Sequence, residues 1–336
     1  MLGCTTEPRE GPAPGLPCGR GTLNARGSSA QANAMMFWIE RFQEACPGST
    51  VNYEPSGSGA GISAFIGGSV NLAGADSPLS PEELEQARPQ CSGRPPLVLP
   101  MVAGPVTLAY HLPGAPRLRL TPETVAAIFT RTVRRWDDPA IRAENPGVAL
   151  PPTPIRTVHR TDSSGTTKAF TAYLTEVAGG RWPYGSDRTW AAPDGLGVAG
   201  SRRVLETVQR TAGAIGYLEL SYLRGTDLPV AAVRNAAGEF VPPSGDAAGE
   251  SLGTPGPDLR LPIDRTSRQP GAYPLALVTY EAVCDRGLAA DKAPLVRAFL
   301  SWTSSEAGQR GLVERGYTPL PEPLRQQVRT AVERIS

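Results

Sequence analysis

The sequence predicts an α/β fold with room for two domains, and three observations support this. Short β-like runs alternate with amphipathic helical segments from residue 20 onward, which is typical of strand–helix–strand units. Several predicted strands end in clusters of serine and glycine immediately before a helix. The chain has 336 residues, which is long enough for two domains with their own cores.

The elements follow from the local pattern of apolar and polar residues. The first third alternates strands and helices in the order GTLNARG, AQANAMMFWIERFQEA, STVNYEPSG, GAGISAFIGGS, NLAGAD and SPEELEQARPQ. The middle of the chain contains the helix TPETVAAIFTRTV, the strand PIRTVHR, the helices SGTTKAFTAYLTEVA and SRRVLETVQRTA, and the strand GAIGYLEL. After a loop-rich region at 238–262 come the strand LALVTYEAVC and the helices APLVRAFLSWTSSE and PEPLRQQVRTAVERI.

The composition is typical of a globular protein and excludes several classes of function. The net charge is only +1, so no basic face for nucleic acid is expected. No uninterrupted apolar run reaches the eighteen or so residues that a transmembrane helix requires. The most apolar segment, 96–114, contains four prolines and predicts buried strands.

The cysteines and the N-terminus indicate an exported protein. The opening residues MLGCTTEPREGPAPGLP resemble the end of a bacterial lipoprotein processing site, so Cys4 is expected to carry lipid and 1–17 to form a flexible tether. No C-x-x-C pair occurs and the chain has two histidines, so a Cys/His zinc site is not expected. The remaining cysteines fit either two disulfides or four buried thiols: Cys18, Cys46, Cys91 and Cys284.

Residues 159–170, HRTDSSGTTKAF, place an arginine and small hydroxyl residues at the predicted start of a helix. The first N–H groups of a helix have no helical acceptor and carry partial positive charge. Serine and threonine add hydroxyl donors, glycine permits close approach of a ligand, and Arg160 adds a full positive charge. The segment therefore predicts an anion site, and the alternative is ordinary capping of the helix.

Two further strand–helix junctions have a similar composition. SGSGAG at 56–61 lacks the G-K-[ST] of a P-loop, but it offers the Ser58 hydroxyl and glycine-flanked N–H groups. RGSSAQ at 26–31 has the same arrangement. Ligands of α/β sheets bind where the carboxyl ends of strands meet helix N-termini, so these junctions are candidates for one shared site.

Two motifs point to other chemistry, but the context of each argues against it. GESLG at 249–253 matches the nucleophile elbow of serine hydrolases, yet no strand precedes it and no histidine follows it. GLGVAG at 195–200 matches a dinucleotide fingerprint, with Glu219 about 20 residues further on, but the segment before it is not a strand.

Six segments together resemble the phosphate-binding protein of the bacterial ABC phosphate transporter, in its actinobacterial lipoprotein form: GSSAQANA, VNYEPSGSGAGISAFIGG, LAGADSPLS, RRWDDPAI, VHRTDSSGTTKAFTAYL and TAGAIGYLEL. The resemblance runs from about residue 18 to the C-terminus. It implies a two-domain periplasmic-binding-protein fold, type II-like, that closes over one inorganic phosphate ion in a cleft. It also implies an exported, lipid-anchored monomer that delivers phosphate to a membrane permease, without enzyme activity, metal, cofactor or nucleic-acid partner.

Two alternatives to this function remain open. The first is an enzyme acting on phosphate esters, although the sequence lacks the His/Asp clusters or activated nucleophile that this chemistry uses. The second is a phosphate sensor or adhesion protein that keeps the fold without the transport role.

Carried over residue by residue, the resemblance implies a ligand set shared between the two domains. The first domain would contribute Ser29, Ala30, Ser58 and Asp76, and the second would contribute Arg160, Ser164, Gly165 and Thr166. Asp162 is implied as the residue that orients Arg160 through an ion pair. The chain departs from the family in having Ser29-Ala30 where Thr-Phe is frequent, and in a shorter glycine-rich turn before residue 200.

Asp76 is the distinctive member of this set, because a carboxylate repels an anion that has no proton to donate. Phosphate near neutral pH carries a proton and sulfate carries none, so an ionised Asp76 is expected to distinguish the two. The alternative is that Asp76 caps the helix SPEELEQ, but Ser80 is better placed for that role.

The implied first domain comprises 18–101 plus 271–336, and the second comprises 102–270, with hinge closure between them. In this arrangement Cys46 and Cys91 both end helices of the first domain, while Cys18 and Cys284 lie in its two chain segments. We therefore predict the disulfides Cys46–Cys91 and Cys18–Cys284.

Overall fold

The computed structural model describes residues 18–115 and 117–336. Its strands are β1 (Gly21–Gly27), β2 (Ser49–Glu54), β3 (Leu72–Ala75), β4 (Leu97–Tyr110), β5 (Arg119–Leu120), β6 (Arg156–Arg160), β7 (Leu196–Val198), β8 (Ala214–Glu219), β9 (Ala232–Arg234), β10 (Phe240–Val241) and β11 (Ala276–Val283). Its α-helices are α1 (Ala32–Ala45), α2 (Ser58–Ile66), α3 (Pro81–Ala87), α4 (Pro122–Phe129), α5 (Pro139–Glu144), α6 (Gly165–Val177), α7 (Ser201–Arg210), α8 (Gly245–Gly249), α9 (Ala293–Thr303), α10 (Glu306–Arg310) and α11 (Glu322–Val332).

Eight strands form one sheet in the order β2-β1-β3-β11-β4-β8-β6-β7. At one side β1 pairs in parallel with β2 and β3, and at the other side β6 pairs in parallel with β7 and β8. The central strands β11 and β4 are antiparallel to their neighbours. We call β1–β3 with the helices packed on them the first lobe, and β6–β8 with α4–α7 the second lobe.

The long strand β4 connects the two lobes. Buried strands were predicted over 96–114, and the structure has a single strand of 14 residues there. Residues 97–105 pair with β11 and residues 106–110 pair with β8. The register between β4 and β11 shifts at Thr279/Tyr280, next to the pairing of Tyr280 with Pro100, where proline has no N–H to donate. The chain therefore passes from the first lobe to the second within one strand.

Each lobe has its own hydrophobic core. In the first lobe, α1, α9 and α11 enclose a cluster that contains the fully buried side chains of Trp38 and Phe42. A second cluster, which includes Phe65, lies under α2 and α3. The second lobe is organised around Phe129 and Phe170, whose ring centroids are 4.8 Å apart in an edge-to-face contact. These cores hold the strand ends of both lobes in place around the cleft.

The predicted order of strands and helices is confirmed through most of the chain. Ser80 caps α3 by accepting a hydrogen bond from the Glu83 N–H, and the Glu83 carboxylate accepts one from the Ser80 N–H. The prediction that Ser80, and not Asp76, caps this helix is therefore confirmed. The sequence analysis did not predict α5 or the small sheet of β5, β9 and β10. The last-but-one predicted helix is divided, because Ser305 caps the separate helix α10.

The predicted disulfide pairs are wrong. The structure joins Cys18 to Cys46, with their Cα atoms 5.4 Å apart, and Cys91 to Cys284, with their Cα atoms 5.0 Å apart. Cys18 lies just before β1 and Cys46 just before β2, and these two strands run side by side from Gly21 and Ser49. Cys91–Cys284 connects the two chain segments of the first lobe, as the predicted Cys18–Cys284 pair would also do.

The predicted pairing of Cys46 with Cys91 is wrong because the two cysteines lie on opposite faces of the sheet. Neighbouring residues of a strand point to opposite faces, and Leu72 and Ala73 of β3 lie in separate hydrophobic clusters. Cys46 belongs to the cluster of Leu72, and Cys91 belongs to the cluster of Ala73. The two cysteines that end helices are therefore on opposite sides of the sheet.

The predicted lipid attachment at Cys4 and the tether at 1–17 lie outside the described residues. Over the ranges that are described, none of the helices combines the length and the apolar character needed to cross a membrane.

Candidate functional site

The three junctions rich in small residues meet between the two lobes. Residues 28–31 follow β1, Ser58 begins α2, and Gly165 begins α6. The Gly59 N–H donates to the Ser163 carbonyl across the cleft at 3.0 Å. A Cβ atom on Gly165 would lie 2.4 Å from the Cβ of Asp76, so only glycine permits α6 to begin this close to the end of β3.

We call the residues that converge here the cradle. It contains all eight ligand residues that the resemblance implies, together with two serines that it did not: Ser28, Ser29, Ala30, Ser58, Asp76, Arg160, Ser164, Gly165, Thr166 and Ser201. Every member is buried, so the closed cleft shields the polar groups from solvent. Buried polar groups need partners, and this makes the hydrogen bonds of the cradle informative.

Asp76 lies just after β3 and is 7% exposed. The Ser28 hydroxyl donates a short hydrogen bond to Oδ1, and the Ser58 hydroxyl donates to Oδ2 at 3.1 Å. Burial raises the pKa of Asp76 to about 7; the Ser28 and Ser58 hydroxyls oppose this rise and the nearby Glu219 adds to it. The expectation of a fully ionised Asp76 therefore changes, because this pKa divides the carboxyl between its two forms near neutral pH.

Arg160 ends β6 and is 1% exposed. Its Nε donates to Asp162 Oδ1 at 2.7 Å and its Nη2 donates to Asp162 Oδ2, so the ion pair implied by the resemblance is present with both prongs. Burial disfavours the charged form of Asp162, but the Arg160 guanidinium outweighs it and holds the pKa of that carboxyl below its usual range. The remaining Arg160 Nη1 donates to the Ser201 hydroxyl at 3.1 Å and faces the cradle.

For the start of α6 the sequence left two alternatives, an anion site or ordinary capping of the helix, and the structure is compatible with both. Ser164 is an N-cap, because its hydroxyl accepts a hydrogen bond from the Thr167 N–H at 3.2 Å. A capping hydroxyl still has its own hydrogen to donate. The N–H groups of Gly165 and Thr166 lie in the first turn, where no helical acceptor exists. Capping and anion binding are therefore compatible at this helix.

Three tyrosines hold the loop after β1, and sequence reasoning missed all of them. Each donates its hydroxyl to one backbone carbonyl: Tyr53 to Ser28 at 2.7 Å, Tyr222 to Ser29 at 2.7 Å, and Tyr317 to Ala30 at 2.8 Å. The C=O and N–H of one trans peptide point in opposite directions, so the N–H groups that follow are turned away from the tyrosines. The tyrosines come from distant parts of the chain and carry no shared motif.

Ser201 is a second residue that the sequence analysis did not identify. Its hydroxyl lies 3.0 Å from the Ser29 hydroxyl of the other lobe and accepts from Arg160. It begins α7 directly after GLGVAG, whose last glycine donates its N–H to Asp162 Oδ1 at 3.1 Å. The signal was available, since this is another strand–glycine–helix junction that ends in serine. By contrast, the serine of GESLG is buried and donates to the Tyr273 carbonyl at 2.7 Å, which is a structural role.

The fold and the cradle define a class: a two-domain, periplasmic-type binding protein with a cleft between its lobes. The PBP superfamily domain matches residues 12–307. Phosphate-binding protein PstS 3 of Mycobacterium leprae is 39% identical over 338 aligned residues, covering 98% of this chain and 91% of the relative. The chain belongs to the PstS family of phosphate-binding proteins, and the resemblance predicted from the sequence is confirmed.

More distant proteins agree with this assignment. Phosphate-binding protein PstS of Xylella fastidiosa is 34% identical, covering 84% of this chain and 78% of the relative. The periplasmic phosphate-binding protein PfluDING, solved bound with phosphate, superposes with a TM-score of 0.76 at 21% identity, covering 92% of this chain and 93% of that one. At this identity the structural similarity concerns the fold, and it confirms the predicted fold class.

Proposed function

We propose that this protein binds inorganic phosphate in the cradle and delivers it to the membrane permease of an ABC phosphate importer. The relatives are named phosphate-binding proteins, and PfluDING is described as bound with phosphate. One observation in this chain supports the proposal most directly. The buried cradle combines several hydrogen-bond donors with one carboxyl group that can accept a hydrogen bond. Arg160 and the helix starts supply donors, while Asp76 supplies the acceptor that a protonated oxyanion needs.

The proposed ligand set is the one implied by the sequence: Ser29, Ala30, Ser58, Asp76, Arg160, Ser164, Gly165 and Thr166, with Asp162 orienting Arg160. Two hydrogen bonds limit how these residues take part. The Ala30 N–H already bonds the Ser28 hydroxyl at 2.9 Å, and the Thr166 hydroxyl donates to Glu219 at 2.5 Å. We therefore propose that Thr166 contacts phosphate through its backbone N–H.

We also propose that the lobes act as domains that open and close around phosphate, with the boundaries 18–101 plus 271–336 and 102–270. Hydrogen bonds between the lobes, such as Gly59 to Ser163 and Ser29 to Ser201, support a closed arrangement. Small-angle scattering should give a smaller radius of gyration with phosphate than after its complete removal. An unchanged profile would contradict domain closure.

For location, we propose an exported monomer anchored to the membrane through lipid on Cys4. The Leu-Gly-Cys sequence and the two disulfides support export, since disulfides persist in oxidising compartments. Mass spectrometry of the N-terminal peptide from membranes should find Cys4 acylated, and Cys4→Ala should release the protein. Recovery of unmodified Cys4 from the membrane fraction would contradict the proposal.

Calorimetric titration of phosphate-free protein tests the binding function directly. Phosphate should bind with a stoichiometry of one, and Arg160→Ala should weaken phosphate and sulfate alike, because it removes charge that any oxyanion uses. Hydrolysis of phosphate esters by the same sample should be absent, and turnover would favour the enzyme alternative instead. Restored phosphate uptake in cells that lack their own binding protein would test delivery to the permease.

A further inference from the structure

Three hydrogen bonds connect the central strand β11 to the loop after β1. Gln31 Nε2 donates to Glu281 Oε1 at 2.7 Å and to the Tyr53 hydroxyl at 3.0 Å. Tyr53 in turn donates its hydroxyl to the Ser28 carbonyl at 2.7 Å. We call these four residues the relay: Glu281, Gln31, Tyr53 and Ser28. Glu281 and Gln31 are buried, so their polar groups need partners within the protein.

The direction of the relay follows from its end at Ser28. A carbonyl oxygen only accepts, so the Tyr53 hydroxyl gives its one hydrogen to Ser28 and receives a hydrogen bond from Gln31. The N–H₂ group of Gln31 has a second hydrogen, which needs an acceptor in the interior, and Glu281 Oε1 is that acceptor. Glu281 therefore holds the Gln31 amide in the orientation that Tyr53 requires.

Gly74 of β3 makes room for the relay. It pairs with Glu281 in the sheet, and a Cβ atom at Gly74 would lie 1.9 Å from Gln31 Nε2 and 2.6 Å from the Tyr53 hydroxyl oxygen. A side chain at this position would therefore displace both donors. The Gly74 carbonyl also accepts a hydrogen bond from the Ser28 N–H at 2.9 Å. Both ends of the relay are thus fixed to the same residue of β3.

The relay reaches the cradle through the peptide bond between Ser28 and Ser29. Tyr53 holds the C=O of this peptide, so the Ser29 N–H points the opposite way. Within the part of the chain that the structure describes, no group accepts a hydrogen bond from the Ser29 N–H, which leaves it available to an anion. The Ser28 hydroxyl donates to Asp76 Oδ1. Fixing Ser28 therefore orients one donor of the cradle and also its acceptor.

We propose that Glu281 is a positioning residue, which holds the relay so that the Ser29 N–H is aimed at bound phosphate. This inference rests on the proposed function. Glu281 acts at a distance, since two side chains lie between it and Ser28. Hydrogen bonds in a buried chain strengthen one another, so the loss of the acceptor at one end should weaken the orientation of the peptide at the other.

Two substitutions of Glu281 separate its role as an acceptor from its charge. Burial raises the pKa of Glu281 to about 8, against the opposing effect of the Gln31 amide. The carboxyl is therefore mostly protonated near neutral pH, and it keeps one oxygen that accepts. Glu281→Gln matches this neutral form and retains an acceptor, whereas Glu281→Leu fills the space without one.

Calorimetric titration of phosphate into phosphate-free protein near neutral pH measures the effect of both. Glu281→Leu should bind phosphate about fivefold more weakly than the wild type, which corresponds to one internal hydrogen bond. Glu281→Gln should retain the wild-type affinity. Wild-type affinity in Glu281→Leu, or an equal loss in both variants, would overturn the positioning role.

A double-mutant cycle tests whether Glu281 acts through Tyr53. Tyr53→Phe removes the hydroxyl that holds Ser28, and this variant should also bind phosphate about fivefold more weakly. Both substitutions release the same peptide, so the double variant should lose about fivefold in total and not about 25-fold. Losses that multiply would show that the two residues act independently, and this would overturn the relay.

Tyr317→Phe is the matched control for this cycle. Tyr317 holds the Ala30 carbonyl of the same loop at 2.8 Å, but both hydrogens of the Gln31 amide go to Glu281 and Tyr53. Its loss should therefore multiply with that of Glu281→Leu. If Tyr317→Phe couples to Glu281→Leu as strongly as Tyr53→Phe does, the loop responds as a whole and the relay is overturned.

Urea unfolding without phosphate checks that each variant is folded under the conditions of the titration. If Glu281→Leu does not fold, Gln31→Leu interrupts the relay at its next member and takes its place in the cycle with the same expected results. A wild-type protein that binds no phosphate would overturn the proposed function together with this inference. Independent losses in a protein that binds phosphate would overturn the positioning role alone.

Discussion

Arg188 of the second lobe and Glu83 of the first form a two-pronged ion pair across the cleft. Arg188 Nη2 lies 3.3 Å from Glu83 Oε2, and Nη1 contacts Oε1. Arg188 Nη2 also donates to the Ser77 hydroxyl at 3.1 Å. The two side chains are 14% and 19% exposed, so the pair is partly shielded from water. Because its partners come from different lobes, this contact joins the two lobes, and the proposed opening of the cleft would break it.

Breaking this pair should weaken phosphate binding without touching the cradle. Glu83→Gln removes one charge, and the loss should be about 1–2 kcal/mol, between the values for exposed and buried pairs. Phosphate affinity should therefore fall on the order of tenfold in calorimetry. The control is Asp137→Asn, which breaks the two-pronged Arg135–Asp137 pair within the second lobe. An unchanged affinity for Glu83→Gln would show that the pair does not contribute to closure.

The contribution of the Arg188–Glu83 pair to phosphate affinity should depend on pH. Burial disfavours ionised Glu83, but the hydrogen bond and charge of Arg188, together with the Ser80 N–H and the charge of Lys168, outweigh it and lower the pKa of the carboxyl. Because the pKa of Glu83 is lowered, the ion pair contributes fully to affinity above the ordinary pKa of glutamate. This contribution is lost as the pH falls through the lowered pKa of Glu83. The affinity difference between wild type and Glu83→Gln should therefore vanish at strongly acidic pH. A constant difference across this range would contradict the ion-pair explanation.

Asp76→Asn should narrow the preference for phosphate over sulfate. The variant loses an acceptor for the phosphate proton, worth about 1.5–3 kcal/mol, and it also loses the repulsion that excludes sulfate. Titration of both anions against Asp76→Asn and Arg160→Ala measures the effect, since the arginine variant should weaken both ligands. If Asp76→Asn still rejects sulfate as the wild type does, Asp76 is not the selectivity residue.

The two disulfides should contribute unequally to stability. They span 28 and 193 residues of chain, and the chain-entropy treatment assigns them about 3.6 kcal/mol and about 5.3 kcal/mol. Replacing Cys91 and Cys284 by serine should therefore lower the free energy of unfolding in urea more than replacing Cys18 and Cys46. Non-reducing peptide mapping checks the pairs themselves, and a Cys46–Cys91 peptide would contradict the structure.

Buried Glu281 should make the protein less stable as pH rises. Burial raises the pKa of this carboxyl to about 8, although the Gln31 amide opposes the rise. The folded state therefore keeps a proton that the unfolded chain releases above its ordinary pKa. Stability should fall by about 1.4 kcal/mol per pH unit over this interval. Glu281→Gln should gain stability relative to the wild type as pH rises, in urea unfolding without phosphate; a pH-independent difference would refute this.

The sequence predicted those parts of the site that consist of local chain patterns. Arg160 and Asp162 are two residues apart, and the serine and glycine junctions lie at the starts of helices, so their chemistry can be read locally. Ser201 contacts Ser29 only because the two lobes meet there, and the local sequence does not show this contact. The tyrosines that hold residues 28–30 and the acid Glu219 depend on contacts between distant segments, which spacing does not reveal. The predicted disulfide pairs were wrong for the same reason. A cysteine at the end of a helix does not reveal from the sequence on which face of the sheet that helix packs.

The Cys91–Cys284 disulfide closes the chain into a covalent ring that contains the whole second lobe. A single cut inside this ring, for example after the exposed Arg268, leaves one molecule and not two fragments. Nicked protein would keep its mass on a non-reducing gel and fall apart only when the disulfide is reduced. The second lobe therefore stays tethered at two points even after one of its loops is cleaved.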